Sequence, residues 1–123
     1  MKEGSKILLV NNNESSQDIF KKIAKELNCN LIIAEDGQEG LDMAGEELPD
    51  LIAVRRKASV LDALSMSVLL KQSDKTKDIP ILVICTDVSN SELASFKDAG
   101  CSGCIKEPFT KKELIEKIEA ILS

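Results

Sequence analysis

Three clusters in this chain carry side chains that could do chemistry: Asn11-Asn12-Asn13, Arg55-Arg56-Lys57, and the Cys-x-x-Cys of Cys101 and Cys104. The chain has no histidine. That absence removes the commonest general base, metal ligand and phosphate carrier, and with it any triad or zinc site needing an imidazole. The three asparagines close a short apolar run, Ile7 to Val10. Their amides are neutral and offset little of a metal's charge. Asparagine also caps helices and tolerates left-handed backbone, so a turn role and a loop-bonding role both stand open. The three cations at 55–57 could gather an anion together with nearby helix N-termini. They could equally be a solvated loop in an acidic protein. The two thiols would need a helix N-terminus or two further ligands for redox or metal work. They lead instead into the apolar Cys104-Ile105, and Cys29 and Cys85 lie in other segments, so ordinary small-residue packing is expected. No Ser/Thr/Gly-rich phosphate loop follows the first apolar run, which disfavours FMN.

Those clusters sit on a regular alternation. Four-residue apolar runs (Ile7–Val10, Leu31–Ala34, Leu51–Val54, Ile81–Ile84) and the short Cys104-Ile105 are separated by stretches of helical spacing. The helical stripes are Ile19/Ile23/Leu27, Leu41/Ala44/Leu48, Leu61/Leu64/Val68, Leu93/Phe96/Ala99 and Leu114/Ile118/Ile121/Leu122. Apolar throughout, such runs suit strands buried on both faces, hence a parallel sheet in an α/β fold. Helix starts are marked by Asp36 with Glu39, Ser89 with Glu92, Thr110 with Glu113 and, more weakly, Ser59 with Asp62.

A length of 123 residues predicts one domain over 1–123 with a real core. Aromatic content is 2%, only Phe20, Phe96 and Phe109, so aliphatic packing must carry that core. Sixteen basic against twenty-one acidic residues leave a charge of −5. An acidic chain is repelled by phosphates, so no nucleic-acid partner is expected. No segment reads as a signal peptide or a membrane span, which predicts a cytoplasmic protein with free cysteines.

The residues resemble the receiver domain of bacterial response regulators over nearly the whole chain. The resemblance is carried by Lys6 to Val10, Ala34 to Leu41, Pro49 to Ile52, Asp78 to Ile84 with Thr86, Ala99-Gly100, and Pro108-Phe109. It implies a doubly wound, flavodoxin-like α/β fold: five parallel strands in order 2-1-3-4-5 with five helices, and a site at the strand C-terminal ends. The family's metal-binding acids fall on Asn11 and Asn12, its phosphoacceptor aspartate on Arg55, its hydroxyl residue on Thr86 and its lysine on Glu107. Its switching aromatic falls on Cys104, and a cis bond is implied before Pro108. Only the hydroxyl among the chemical positions is kept. A guanidinium stays protonated and cannot attack phosphorus, and it repels a metal. The implied product is a degenerate receiver: no enzyme, no cofactor and no metal, but a phosphorylation-independent interaction module. Its protein partner would dock on the fourth-helix, fifth-strand and fifth-helix face, roughly residues 90–122. Arg55 and Glu107 would form a charge-swapped pair across the pocket; the plainer expectation is that both reach solvent. The alternatives from other classes are a small-anion or nucleotide sensor built on Arg55–Lys57 and a thiol-active protein using Cys101 and Cys104.

Overall fold

The computed structural model describes residues 2–122. The elements run β1 (Lys6–Val10), α1 (Glu14–Glu26), β2 (Asn30–Ala34), α2 (Gly37–Glu47), β3 (Leu51–Arg55), α3 (Ala63–Lys71), β4 (Ile81–Cys85), α4 (Asn90–Asp98), β5 (Gly103–Lys106) and α5 (Lys111–Leu122). All neighbouring strands are parallel, in the order β2-β1-β3-β4-β5. The parallel pairing is the one expected from the alternating runs, and the strand order is the one the receiver resemblance implies.

The central strands are buried on both faces because helices cover both. Ile7, Leu9, Leu51, Ala53, Leu82 and Ile84 meet Phe20 and Ile23 of α1 and Leu114 and Ile118 of α5. Leu8, Val10, Ile52, Val54, Ile81 and Val83 meet Ala44 of α2, Met66 and Leu70 of α3, and Phe96 of α4. Alternation along each strand therefore feeds two cores from one sheet. Two glycines allow close approach on the second face. A Cβ on Gly40 would lie 2.6 Å from Val10 Cγ2, and one on Gly37 would lie 1.7 Å from the Leu61 carbonyl oxygen.

Helix starts follow the capping chemistry. Asn13, Asp36, Asp62 and Ser89 each accept from the backbone N–H three residues on, and Ser89 with Glu92 completes a capping box. Thr110 and Glu113 exchange the same pair of bonds. The third helix corrects the sequence reading in two ways. Its cap is Asp62, not Ser59, because Ser59 and Leu61 lie in a tight loop around Val60 (φ 70°), where the Ser59 carbonyl accepts from the N–H of both Leu61 and Gly37. Its inward face is Ala63, Met66, Ser67 and Leu70, while Leu64 and Val68 of the expected stripe are 37% and 43% exposed. A helix apolar nearly all round offers no periodicity to choose between faces. Leu48 likewise leaves its stripe: it ends α2 in the left-handed region (φ 46°) and is exposed.

Candidate functional site at the carboxyl edge of the sheet

Register brings the singled-out residues to one edge. Val10 pairs with Val54, Arg55 with Ile84, and Cys85 with Lys106. Asn11, Arg55, Thr86 and Glu107 therefore stand at or just past the ends of β1, β3, β4 and β5.

Asn11 is buried, 2% exposed. Its N–H donates to the Ala34 carbonyl and its carbonyl accepts from Gln17 Nε2. Its Oδ1 accepts from the Asn13 N–H at 2.5 Å, which fixes the amide orientation and leaves buried Nδ2 without a partner among the described residues. Asn12 is exposed, and Asn13 caps α1. The amide run thus divides into a buried link, a surface residue and a cap.

Glu107 points inward. Ser16 Oγ donates to its Oε2 at 2.6 Å, and Arg55 Nη2 lies 3.8 Å from its Oε1. The Glu107 side chain is 15% exposed and that of Arg55 31%. Oε1 is buried and accepts no hydrogen bond among the described residues, so the Arg55 contact is an ion pair without one. The carboxylate also sits beside the N-terminal turn of α1, where the helix dipole favours negative charge. The Glu107–Pro108 bond is cis. Thr86 is exposed, with no side-chain hydrogen bond among the described residues.

The basic loop is partly neutralised by its own protein. Arg56 Nη1 donates to Glu92 Oε2 at 2.5 Å on α4. The Ser89 backbone N–H, then Arg56, holds the Glu92 carboxyl below the usual carboxylate range. Among the described residues Lys57 has no ion-pair partner. Two residues here escaped the sequence reading. Ser16 is buried on α1 one turn before Phe20, so the inward stripe of that helix contained the clue. Glu92 was read only as a cap, and its link to Arg56 joins elements 36 residues apart in sequence.

Cys101 and Cys104, the two thiols singled out above, are packed among apolar side chains of the second core, and Ser67 Oγ is 3.1 Å from Cys101 Sγ. Burial pushes all four thiols up, Cys104 to about 11. Among the described residues no group of three or more His, Cys, Asp or Glu side chains could hold a metal. Alkylation of Cys104 at pH 8 is therefore expected to run on the order of a hundred-fold slower than for an unperturbed cysteine, and to speed up toward pH 11. Rapid labelling at pH 8, followed by peptide mass mapping, would revive a thiol role.

Residues 7–119 match the family model described as the response regulator receiver domain. The chain belongs to that family. This receiver domain is 25% identical over 116 residues to the polar-differentiation response regulator DivK of Brucella anthropi, covering 94% of each chain. Its fold superposes on the chemotaxis response regulator CheY4 of Vibrio cholerae with a TM-score of 0.90 at 22% identity, covering 97% of this chain and 99% of that one. The receiver domain of the sensor histidine kinase PA1611 from Pseudomonas aeruginosa matches with a TM-score of 0.85 at 21% identity, covering 97% and 98%. That structure holds a magnesium ion in its active-site cleft. The donors on this receiver's edge do not fit such an ion. Magnesium relies on one or two carboxylates plus waters and phosphate. Here Asn11 Oδ1 is taken by Asn13, position 55 carries a cation, and the Glu107 carboxylate is engaged by Ser16 and Arg55.

Proposed function

We propose that this receiver signals without accepting a phosphoryl group, as a cytoplasmic protein-interaction module whose edge pocket is closed by its own side chains. The observation that carries the reading is Glu107. Its carboxylate takes the Ser16 hydroxyl and lies beside the Arg55 guanidinium, so the chain fills with its own acid the place an incoming anion would need. Position 55 offers no oxygen nucleophile, and position 11 offers an amide already bonded to its own loop. The partner is a protein, docked on the surface of α4, β5 and α5. A cleft of about 480 Å³ there is lined by Cys104, Lys106, Glu113 and Lys117. The net charge of −5 argues against nucleic acid, and no helix among the described residues is long and apolar enough to cross a membrane.

An anion sensor built on 55–57 has less support, since Arg55 and Arg56 already face Glu107 and Glu92. The decisive experiment is incubation of the protein with a small-molecule phosphodonor and magnesium, read by intact mass. An unchanged mass is expected; a stoichiometric, acid-labile phosphoadduct on the folded protein would refute the reading.

A further inference from the structure

We propose that the open edge of β2 takes an extended, basic segment of a partner protein, added to the sheet as a further strand. The first observation is the backbone. β2 ends the sheet, and among the described residues its one neighbouring strand is β1. The Asn30 N–H donates to the Ser5 carbonyl, and the Ala34 carbonyl accepts from the Asn11 N–H. Asn30, Ile32 and Ala34 thus turn their backbone groups toward β1. Backbone groups alternate sides along a strand, so the N–H and C=O of Leu31 and Ile33 point away from the sheet, where no described residue meets them. The second observation is that this edge is unguarded. From Leu27 to Ala34 the chain has no charge and no proline, and Leu31, Ile32 and Ile33 are only half-buried. Natural edges are blunted by charge, proline, bulges or short length. The opposite edge, β5, is four residues long, begins at Gly103 and ends at exposed Lys106.

Charge chooses the occupant. Residues 26–54 hold eight of the chain's twenty-one acids and none of its sixteen bases, so this stretch carries −8 and the rest of the chain +3. Within it Glu26 meets Lys111 and Glu47 meets Lys6. Glu35 directly follows β2, and Glu39 lies in the first turn of α2. Both are exposed, and neither has an ion-pair partner among the described residues. A second copy would bring two such edges together and be repelled, and nucleic acid would be repelled as well. A segment that alternates basic and apolar residues fits instead. Its main chain bonds to Leu31 and Ile33, its apolar side chains cover the half-buried strand, and its cations meet Glu35 and Glu39. Strand addition works this way, with main-chain bonds for affinity and alternate side chains for specificity. The site lies across the sheet from the α4, β5 and α5 face, so each surface is tested without the other.

The probe is an octapeptide alternating lysine and valine, capped at both ends. It is titrated into the whole chain at low salt up to about 1 mM and followed by backbone-amide NMR. Saturating peptide should slow hydrogen exchange of the Leu31 and Ile33 N–H groups by about tenfold or more. A glutamate–valine octapeptide should bind at least about tenfold more weakly. The fully N-methylated lysine–valine peptide keeps every charge but donates no backbone bond, and it should bind as poorly. Glu35→Lys with Glu39→Lys changes two exposed residues and should weaken the lysine–valine peptide about tenfold without unfolding the chain. Absence of binding at the highest concentration overturns the proposal. So does binding that the N-methylated peptide matches, since charge alone then suffices, and so does binding that leaves the Leu31 and Ile33 amides exchanging as before. Protection of those amides that grows with protein concentration in the absence of peptide overturns it in favour of a second copy.

Discussion

Phe20→Ala is expected to cost about 3–5 kcal/mol, the largest loss of any single truncation considered. Phe20 is fully buried on α1 and meets Phe109 edge-to-face, ring centres 6.4 Å apart at 89°. The rest of that core is aliphatic: Ile7, Leu9, Leu51, Leu82, Ile84 and their neighbours on α5. With three aromatic residues in the chain, no other ring can move into the space, and aliphatic side chains held by two neighbouring strands cannot collapse into it. The loss therefore combines transfer energy, a residual cavity and an aromatic pair of about 0.5–1.5 kcal/mol. A domain of this kind has about 5–15 kcal/mol in total, so the variant should remain folded but lose much of its urea midpoint. Phe109 directly follows the cis Glu107–Pro108 bond, and Phe20 lies one helical turn from Ser16. The cavity thus opens under both residues that hold the edge pocket. Equilibrium urea unfolding measures the loss, with exposed Lys22→Ala as a control within about 0.5 kcal/mol. A Phe20→Ala loss near 1 kcal/mol would show that α1 is only loosely seated.

The strands were legible because each carries a run that is apolar on both faces, from Ile7–Val10 through Ile81–Ile84, and only a sheet covered twice can use such runs. Three of the helix starts were legible because the cap residues act locally: Asp36, Ser89 and Thr110 bond within three residues of themselves; Asn13 does the same, in a segment read only as an asparagine run. Helix facing was legible only where the helix is amphipathic. In α1 the expected stripe Ile19, Ile23 and Leu27 lies on the right side of the helix but is offset from the buried Ser16, Phe20, Ile23 and Ala24, with Ile19 and Leu27 only partly buried; in α3, Leu64, Val68 and Leu69 compete with Met66 and Leu70 on equal terms, and the sheet picks the second set. The site was legible in position and in one ion pair, Arg55 with Glu107, but not in its hydrogen bonds. Family spacing placed Asn11, Arg55, Thr86 and Glu107 on one edge, but Ser16 reaches Glu107 across 91 residues and Arg56 reaches Glu92 across 36. Contacts of that range depend on which rotamer a long side chain takes once the sheet has formed, and no local pattern encodes it.

The pair Arg55 and Glu107 gives the second large expectation, read by a double-mutant cycle. Glu107→Ala removes an acid from beside a guanidinium and leaves the buried Ser16 hydroxyl without its acceptor; a loss of about 1–3 kcal/mol is expected. Arg55→Ala leaves the 15%-exposed Glu107 with Ser16 alone, while the Arg55 side chain it removes was already 31% in contact with water. The second loss should therefore be smaller than the first. At 3.8 Å and without a hydrogen bond, the direct attraction is modest, so the double variant should fall short of additivity by about 0.5–1 kcal/mol. Ser16→Ala separates the two contributions. It removes the hydroxyl bond and spares the ion pair, and it should cost about 1 kcal/mol without changing the Arg55 coupling by more than a few tenths. Salt provides an independent check. A half-buried pair is screened less than a surface pair, so raising ionic strength should leave most of the coupling in place. Coupling near zero, with Glu107→Ala harmless, would mean that Arg55 and Glu107 are unrelated replacements of two family residues. The edge would then be merely unused. Measurable coupling would mean that the chain has exchanged a chemical pocket for a structural one, held closed by its own acid.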